Sequence, residues 1–519
     1  MHPKHWARDT PNAPALSMLD ANAQVTHTLT FAELDRRANR YAHALRALGL
    51  SRGDRFCVWK RNSLSFIPLY WAAQRAGLLI VPVAVHLSDA ETDDIIRDSG
   101  AKALITDGRV EQAAGLVEGL RRDRLLEGAI FWADHPLAGL PDWNAFASDV
   151  PDGPVPDEVA GGHMMYSSGT TGRPKGIKPQ VVSEDVETPH PFVPVVAGLY
   201  GAGPHTRYLS PAPLYHAAPL VYCTLVQRLG GHVFVMEKFR EDTFLKAIQD
   251  HAITFTQTVP TMFVRLLKQP EAVRASYDVS SLACAVHAAA PCPVHVKRAM
   301  IDWWGPVIHE YYAGTEGNGM TYCNSEQWLA HPGTVGRAVY GQVHVCDEDT
   351  GEPLPAGETG TVYFSDGSTF EYHNDAARTD AARNPARAGW TTLGDIGHLD
   401  ADGYLFLTDR RANMIISGGV NIYPQEAENV LLEHPDVLDA AVLGVPDDEM
   451  GERVKAFVQA VPGADTDTLG PALIAFTRAR ISHIKAPREV EVVETLPRTE
   501  SGKLLKRVLL DGEPRPRAG

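Results

Sequence analysis

The segment Tyr166–Gly176 (YSSGTTGRPKG) combines hydroxyl side chains, glycines and a lysine. Glycines let a backbone approach a polyphosphate closely, and successive N–H groups can surround an anion. The residues expected to hold phosphate are Ser167, Ser168, Gly169, Thr170, Thr171, Gly172 and Lys175. Because Lys175 is followed by glycine and not by serine or threonine, the segment is not a Walker A loop. The pattern predicts a different loop for gripping a triphosphate, directly after a strand.

This segment resembles the phosphate loop of the adenylate-forming enzymes, a family that includes acyl-CoA synthetases, beetle luciferases and the adenylation domains of peptide synthetases. The resemblance extends from Leu29 to about Leu509, with several motifs in the family's order. It implies a large N-terminal domain, a small mobile C-terminal domain and an active site in the cleft between them. It also implies that ATP, with Mg²⁺, activates a carboxylic acid as an acyl-adenylate, and that coenzyme A then accepts the acyl group.

Further motifs resemble the family's nucleotide site. The residues that this resemblance assigns to ATP or AMP are Ala289, Ala290, Tyr312, Ala313, Gly314, Thr315, Asp395, Arg410 and Lys503. Tyr312 would stack on adenine, Thr315 would contact the α-phosphate and Glu316 would hold Mg²⁺, which prefers oxygen ligands. Asp395 would accept the ribose hydroxyls, as acidic residues do in other nucleotide sites. Taken alone, Glu316 would be an ordinary surface residue and Asp395 an ordinary turn residue.

Motifs in the last quarter of the chain resemble those that the family uses for its two half-reactions, which are formation of the acyl-adenylate and transfer of the acyl group to coenzyme A. Lys503, in PRTESGK, would pair with the substrate carboxylate and the α-phosphate oxygens. The implied catalytic set is Lys503, Glu316, Thr171 and His216. The implied coenzyme A contacts are Ser417, Gly418, Gly419 and Lys485. For Lys485, a solvated surface lysine is the competing interpretation.

The acyl pocket is expected from residues that are mostly apolar or small: His216, Thr258, Val259, Met262, Ala288, Gly314 and Met320. We see no charged residue among them that would recognise an amino acid's ammonium group. The pattern therefore favours a fatty, alicyclic or aromatic acid. His216 would orient the carboxylate or gate the pocket, and a packed structural histidine is the alternative.

The elements that must position these residues follow from periodicity. Helical stripes, such as the one in Thr30–Leu50, alternate with short apolar strands, which predicts an α/β fold with parallel-sheet subdomains. A small β-barrel follows from residue 333, and a small mobile α+β domain closes the chain. We expect an N-terminal domain at 1–409, a hinge at 410–412 and a C-terminal domain at 413–519. At the hinge, Ala412 replaces the polar residue frequent in the family. Residues 181–204 lack periodicity and are expected to form a mobile excursion.

Composition limits the partners. The chain has 519 residues and a formal net charge of −16, so its surface repels nucleic acid. No apolar run approaches the roughly 20 residues of a membrane-spanning helix, and the N-terminus has no signal-peptide core. We expect a cytoplasmic protein with no transmembrane segment, and we leave a homodimer open.

Three alternatives remain on the sequence evidence. A carrier protein could replace coenzyme A as the acceptor. A luciferase-type oxygenase would consume oxygen, although no residue singles it out. An inactive ligand-sensing protein would keep the fold but release no pyrophosphate, and the intact Lys503, Glu316, Asp395 and Thr171 argue against it.

Overall fold

The computed structural model describes residues 1–167, 174–178, 184–410, 413–418, 420–447, 449–498, 504–505 and 508–509, without the side chains of Arg410 and Asn421. The chain forms two units. The first contains Met1–Thr258, Arg265–Val286 and Phe370–Ala376, and the second contains Val259–Val264, His287–Thr369 and the chain from Ala377 onward. None of the described helices is long and apolar enough to cross a membrane.

The N-terminal hairpin leads into a helix whose start is fixed locally. The first elements are α1 (Pro3–Asp9), β1 (Pro14–Leu19), β2 (Val25–Thr30) and α2 (Phe31–Ala47). The Thr30 hydroxyl accepts a hydrogen bond from the Glu33 N–H at 3.3 Å, and the Glu33 carboxylate accepts one from the Thr30 N–H at 2.8 Å. This capping box satisfies backbone donors that the first helical turn cannot pair. The helix therefore begins at the start of the predicted amphipathic stripe.

A parallel sheet occupies the next part of the first unit. Its elements are β3 (Arg55–Trp59), α3 (Phe66–Ala76), β4 (Leu79–Pro82), α4 (Asp89–Ser99), β5 (Leu104–Thr106), α5 (Ala113–Arg122), β6 (Ile130–Trp132), α6 (Trp143–Phe146), a 3₁₀ turn (Ala147–Asp149) and β7 (Gly162–His163). The strand order is β6-β5-β3-β4-β7. Its strands are almost entirely buried, as expected when helices cover a parallel sheet on both faces. The predicted α/β class is confirmed.

The chain continues with a short hairpin and a second sheet. The elements are β8 (Tyr166–Ser167), β9 (Lys175–Gly176), α7 (Phe192–Tyr200), β10 (Arg207–Ser210), α8 (Ala217–Arg228), β11 (His232–Met236), α9 (Glu241–Asp250), β12 (Phe255–Thr258), α10 (Pro260–Leu267), α11 (Glu271–Arg274) and β13 (Cys284–His287). These strands extend the N-terminal hairpin in the order β2-β1-β11-β10-β12-β13. Pairs β1–β11, β10–β11 and β10–β12 are parallel.

Helix α7 corrects one expectation. It lies within residues 181–204, for which the sequence predicted an irregular excursion, and it buries Val196 and Tyr200. Its sequence, FVPVVAGLY, is apolar on nearly all sides. A helix of that kind has little contrast between faces, so the periodicity that reveals an amphipathic helix is missing.

The second unit begins with antiparallel structure. Its elements here are α12 (Val294–Trp304), β14 (Ile308–Ala313), β15 (Met320–Cys323), α13 (Ser325–Ala330), β16 (Arg337–Tyr340), β17 (Gln342–Cys346), β18 (Gly360–Ser365), α14 (Ala376–Ala381), β19 (Thr391–Leu399) and β20 (Leu405–Arg410). Strands β14, β15 and β16 pair antiparallel, and β17-β18-β19-β20 form an antiparallel half-barrel. The half-barrel packs around Val335, Val345, Val362, Phe364 and Leu405.

The chain ends in an α+β layer. Its elements are β21 (Ile415–Ser417), β22 (Val420–Ile422), α15 (Pro424–Leu432), β23 (Val437–Asp447), β24 (Gly451–Ala460), α16 (Thr466–Arg478) and β25 (Glu489–Val493). The sheet order is β22-β21-β24-β23, with β25 parallel to β24. Both helices pack on one apolar core that includes Leu431, Val442, Ala456 and Leu473.

Candidate active site

The two ends of the predicted phosphate loop form a short hairpin, and a hydrogen bond from Tyr166 fixes this hairpin. In β8 and β9, Tyr166 lies opposite Gly176 and Ser167 lies opposite Lys175. The Tyr166 hydroxyl donates to Asp98 Oδ2 at 2.6 Å, and burial together with this contact raises the pKa of Tyr166. A Cβ at Gly176 would lie 2.9 Å from the Tyr166 ring, so only glycine fits. The two ends of the loop are therefore held in place. Asp98 escaped the sequence analysis because it is 68 residues away from Tyr166 in the chain.

Several predicted residues lie outside the described residues: Ser168, Gly169, Thr170, Thr171, Gly172, Ala412, Gly419 and Lys503. The side chain of Arg410 also lies outside them. Their roles stay predictions. Lys175 is described, and its ammonium lies 5.1 Å from the centroid of the Tyr372 ring.

Two histidines meet in the first unit. His216 is the residue before α8, and the centroid of its ring is 6.2 Å from that of His86 and 4.8 Å from that of Tyr215. His86 follows the carboxyl end of β4. Half-buried imidazoles can donate a hydrogen bond to a carboxylate or accept one from a carboxylic acid. His86 was not among the predicted site residues, although its position just beyond a buried parallel strand could have indicated it.

A tyrosine and an aspartate meet in the second unit. The Tyr312 hydroxyl donates to Asp395 Oδ2 at 2.6 Å. Asp395 is only 5% exposed and lies opposite Arg410 in the β19–β20 ladder. The Tyr312 ring also faces that of Phe364, with centroids 6.1 Å apart. The structure thus brings together three predicted nucleotide-site positions, Tyr312, Asp395 and the backbone of Arg410.

Glu316 lies over Gly314. A Cβ at Gly314 would be 2.8 Å from Glu316 Oε2 and 2.5 Å from Leu393 Cδ1. Glu316 is half-buried, while the neighbouring Thr315 is exposed. Mg²⁺ usually takes one or two carboxylates and completes its shell with substrate phosphates and water. The single Glu316 carboxylate therefore fits the Mg²⁺ ion that is predicted to bind there.

Gly314→Ala is expected to shift the Mg²⁺ dependence of catalysis. The added methyl group displaces the Glu316 carboxylate, so pyrophosphate release should need more Mg²⁺ to reach half its maximal rate. The measurement is a Mg²⁺ titration at saturating ATP. Gly198→Ala is the control, because a Cβ there meets nothing within 4 Å. An unchanged Mg²⁺ midpoint in Gly314→Ala would contradict the metal role.

The unit that contains the alanine motif also contains a buried ion pair. Ala288, Ala289 and Ala290 follow β13, and Ala289 adopts a φ of 75°. In the same unit, Lys297 Nζ lies 2.6 Å from Glu310 Oε2, with Lys297 0% and Glu310 4% exposed. The pair joins α12 to β14, the strand that ends at Ala313. Because the two residues belong to different elements, their pairing could not be predicted from the sequence pattern.

The predicted acyl-pocket residues are divided between the units. His216 and Thr258 belong to the first unit, and the remaining five belong to the second. The buried members, none more than 5% exposed, are Thr258, Val259, Met262, Ala288 and Met320. The Thr258 hydroxyl donates to the Val286 carbonyl at 3.2 Å, so this polar group is already satisfied.

The predicted coenzyme A residues lie in the C-terminal layer. Ser417 is buried at the end of β21, and Gly418, with a φ of 57°, donates its N–H to the Met450 carbonyl at 2.8 Å. Lys485 Nζ contacts both carboxylate oxygens of Glu426, at 2.9 and 2.7 Å. A coenzyme A phosphate would have to displace this ion pair.

Comparison with known proteins identifies the family of the chain. Residues 3–371 match the AMP-binding enzyme family and residues 426–503 match the AMP-binding enzyme C-terminal domain. A feruloyl-CoA synthase of an Amycolatopsis species is 33% identical and covers 100% of this chain and 98% of its own. A long-chain fatty-acid–CoA ligase of Mycobacterium tuberculosis is 30% identical, with 93% and 92% covered. The ATP-bound MatB structure from Rhodopseudomonas palustris superposes with a TM-score of 0.82 at 27% identity, covering 99% of each chain.

Over its whole length this chain shares the sequence and fold of enzymes that activate acids with ATP and transfer them to coenzyme A. The chain therefore belongs to the AMP-binding, adenylate-forming enzyme family and is an AMP-forming acyl-CoA ligase.

Proposed function

We propose that this ligase activates an apolar acid of the aromatic, fatty or alicyclic class, with the residues named above in defined roles. The observation that carries the role assignment is the hydrogen bond from Tyr312 to the buried Asp395. It supports a site in which an aromatic ring and a carboxylate face one nucleoside. The buried apolar positions support the acid class, as do relatives named for ferulate and for long-chain fatty acids.

The first half-reaction would use the residues as follows. An oxygen of the substrate carboxylate attacks the α-phosphorus of ATP, and the bond to the β-phosphate oxygen breaks, so pyrophosphate leaves. Ser167, Lys175 and the loop tip would hold the pyrophosphate, and Lys503 would neutralise the carboxylate and α-phosphate oxygens. Charge that develops on the phosphates is best stabilised by such pre-positioned donors. Mg²⁺, held by Glu316 when bound, supplies further positive charge.

The second half-reaction would transfer the acyl group. The sulfur of coenzyme A attacks the acyl carbon, loses its proton, and expels AMP, leaving a thioester. We assign residues 1–409 to the N-terminal domain and 413–519 to a mobile C-terminal domain, with the hinge at 410–412. Rotation of the C-terminal domain would remove Lys503 from the site and bring in Ser417, Gly418 and Gly419. Such a rotation is a gating step. All six cysteines are free thiols, which supports a cytoplasmic enzyme.

A panel of acids tests the substrate class. Ferulate, benzoate, long-chain fatty acids and an alicyclic acid are each incubated with ATP, Mg²⁺ and coenzyme A, with alanine as the charged comparison. We expect acid-dependent pyrophosphate release and thioester formation with at least one apolar acid and none with alanine. Activity with alanine alone would contradict the apolar class. Pyrophosphate release without a thioester on free coenzyme A would move the acceptor to a carrier protein.

Asp395→Asn tests the nucleotide role. A hydrogen bond to a charged group contributes about 1.5–3 kcal/mol, so losing the ribose contacts should raise the KM for ATP about 10- to 150-fold. Tyr312→Phe keeps the ring and loses only the hydroxyl, so its effect should be smaller. Asp402→Asn, at a side chain that is 73% exposed, is the control. Equal KM values for ATP in Asp395→Asn and Asp402→Asn would remove Asp395 from the nucleotide site.

A further inference from the structure

A cavity of about 670 Å³ lies in the first unit, and its lining contains none of the residues assigned to catalysis. Of the described residues that line it, none was predicted to contact ATP, coenzyme A or the acid. Its walls come from the β1–β2 hairpin, from α2, and from the segments after β3, β5, β6 and β11. This volume is within the range of small-molecule sites in proteins, about 300–1,000 Å³.

The cavity lies at the switch point of the parallel sheet. In the order β6-β5-β3-β4-β7, the chain leaves β3 toward β4 and returns to β5 on the other side of β3. Asn62 follows β3, Arg109 follows β5 and His135 follows β6, and all three line the cavity. In open α/β sheets, ligands bind in the crevice outside the carboxyl ends of the strands at such a switch point. The topology therefore marks this cavity as a binding site.

The carboxylates of the cavity wall already have partners. Asp134 Oδ2 lies 2.8 Å from Nζ of Lys60, which is fully buried, and this contact holds the pKa of Asp134 well below its usual range despite burial. Glu237 forms an ion pair with Arg109. Asp20 Oδ1 accepts backbone N–H groups in its own turn. Asp134 and Glu237 therefore add little net negative charge to the cavity, whereas Asp20 keeps its charge at the β1–β2 turn.

Two arginines of α2 give the cavity a positive wall. Arg37 and Arg40 line it, and within the described part of the chain no carboxylate lies within ion-pair distance of Arg37. Glu33, one turn earlier, is occupied by the helix cap. Arg40 has only a 3.5 Å contact with Asp152, and both side chains are nearly half exposed. In a chain of net charge −16, such a wall selects an anion.

We propose that this cavity is a second ligand site, which binds a small phosphomonoester between Arg37 and Arg40. Guanidinium groups bind phosphate through paired charge-assisted hydrogen bonds. His135 is kept neutral at pH 7 because burial and the charge of Arg109 lower its pKa, so it offers a hydrogen-bonding ring to the organic part of the ligand. The buried side chains of Met18, Leu19 and Tyr41 contribute apolar surface to the wall.

The test uses ribose 5-phosphate and inorganic phosphate as probes, with α,β-methylene ATP and Mg²⁺ filling the nucleotide site. Calorimetry should show saturable binding of ribose 5-phosphate to the wild type. Losing one guanidinium–phosphate contact in Arg37→Gln or Arg40→Gln should weaken it about tenfold or more. Arg122→Gln, at an exposed helical arginine outside the cavity, is the matched control. The thermal midpoint of each unliganded variant checks folding, and a crystal of the wild type with ribose 5-phosphate gives an independent readout.

Density for the ester between Arg37 and Arg40, with weakened binding in both variants, supports the site. Unchanged affinity in folded Arg37→Gln and Arg40→Gln, or no binding to the wild type, overturns it. Binding of inorganic phosphate but not of ribose 5-phosphate would mean an adventitious ion only, and it would overturn the proposal as well.

Discussion

Lys503→Ala is expected to slow adenylate formation by about 10²–10³-fold, because it removes one pre-positioned donor from the developing charge. The same variant should form thioester from preformed acyl-adenylate at close to the wild-type rate. The two half-reactions differ because Lys503 is assigned to the carboxylate and α-phosphate oxygens during adenylate formation. The thiol attacks the acyl carbon later, after the proposed rotation of the C-terminal domain has taken Lys503 out of the site. Pyrophosphate release reports the first step, and thioester formation from synthetic acyl-adenylate reports the second.

Lys485→Ala is the matched comparison in the same domain. Lys485 is assigned to coenzyme A, so its loss should leave pyrophosphate release unchanged and raise only the KM for coenzyme A. If its ion pair with Glu426 is purely structural, neither half-reaction should change. Equal loss of both half-reactions in Lys503→Ala would contradict the assignment of Lys503. No pyrophosphate release from the wild type with any acid would instead indicate an inactive ligand-sensing protein.

Lys297→Met is expected to lower the free energy of unfolding by about 3–5 kcal/mol, since breaking a buried ion pair strands the remaining charge. Glu310 is 4% exposed, and burial raises its pKa. Without Lys297, the Glu310 carboxyl should therefore take up a proton, which limits the loss. Because its folded-state pKa would then exceed its unfolded value, the stability of the variant should fall as pH rises above the unfolded-state pKa of glutamate.

Denaturant unfolding at several pH values measures this effect. Lys246→Met is the control, because the Lys246–Asp250 pair lies on the surface of α9 and should change stability by about 0–0.5 kcal/mol. The double variant Lys297→Met/Glu310→Leu should be more stable than Lys297→Met alone, since it leaves no buried charge. A loss in Lys297→Met no larger than that in Lys246→Met would show that the pair does not stabilise the fold.

Most of the correct predictions, of secondary structure and of the family, came from local motifs. Binary patterning and caps, such as the Thr30–Glu33 box, located α2 to within a few residues. The phosphate loop, the Tyr312–Glu316 motif and Asp395 indicated the family, which the comparisons confirmed. These signals are readable because each depends on neighbouring residues, whose spacing is fixed by the backbone. The helix α7 escaped because a helix that is apolar on most sides leaves no periodic trace.

The sequence by itself determined the enzyme family, the alternating α/β architecture and the order of the motifs along the chain. Only the tertiary structure decided that Asp98 braces Tyr166, that Lys297 neutralises Glu310, and that the Tyr312 hydroxyl meets Asp395. Tertiary structure also decided that two arginines of α2 border a cavity at the switch point of a sheet. These contacts join residues on different elements, so they depend on strand order and packing. A sequence pattern within one helix or strand carries no record of which distant side chain will lie opposite it.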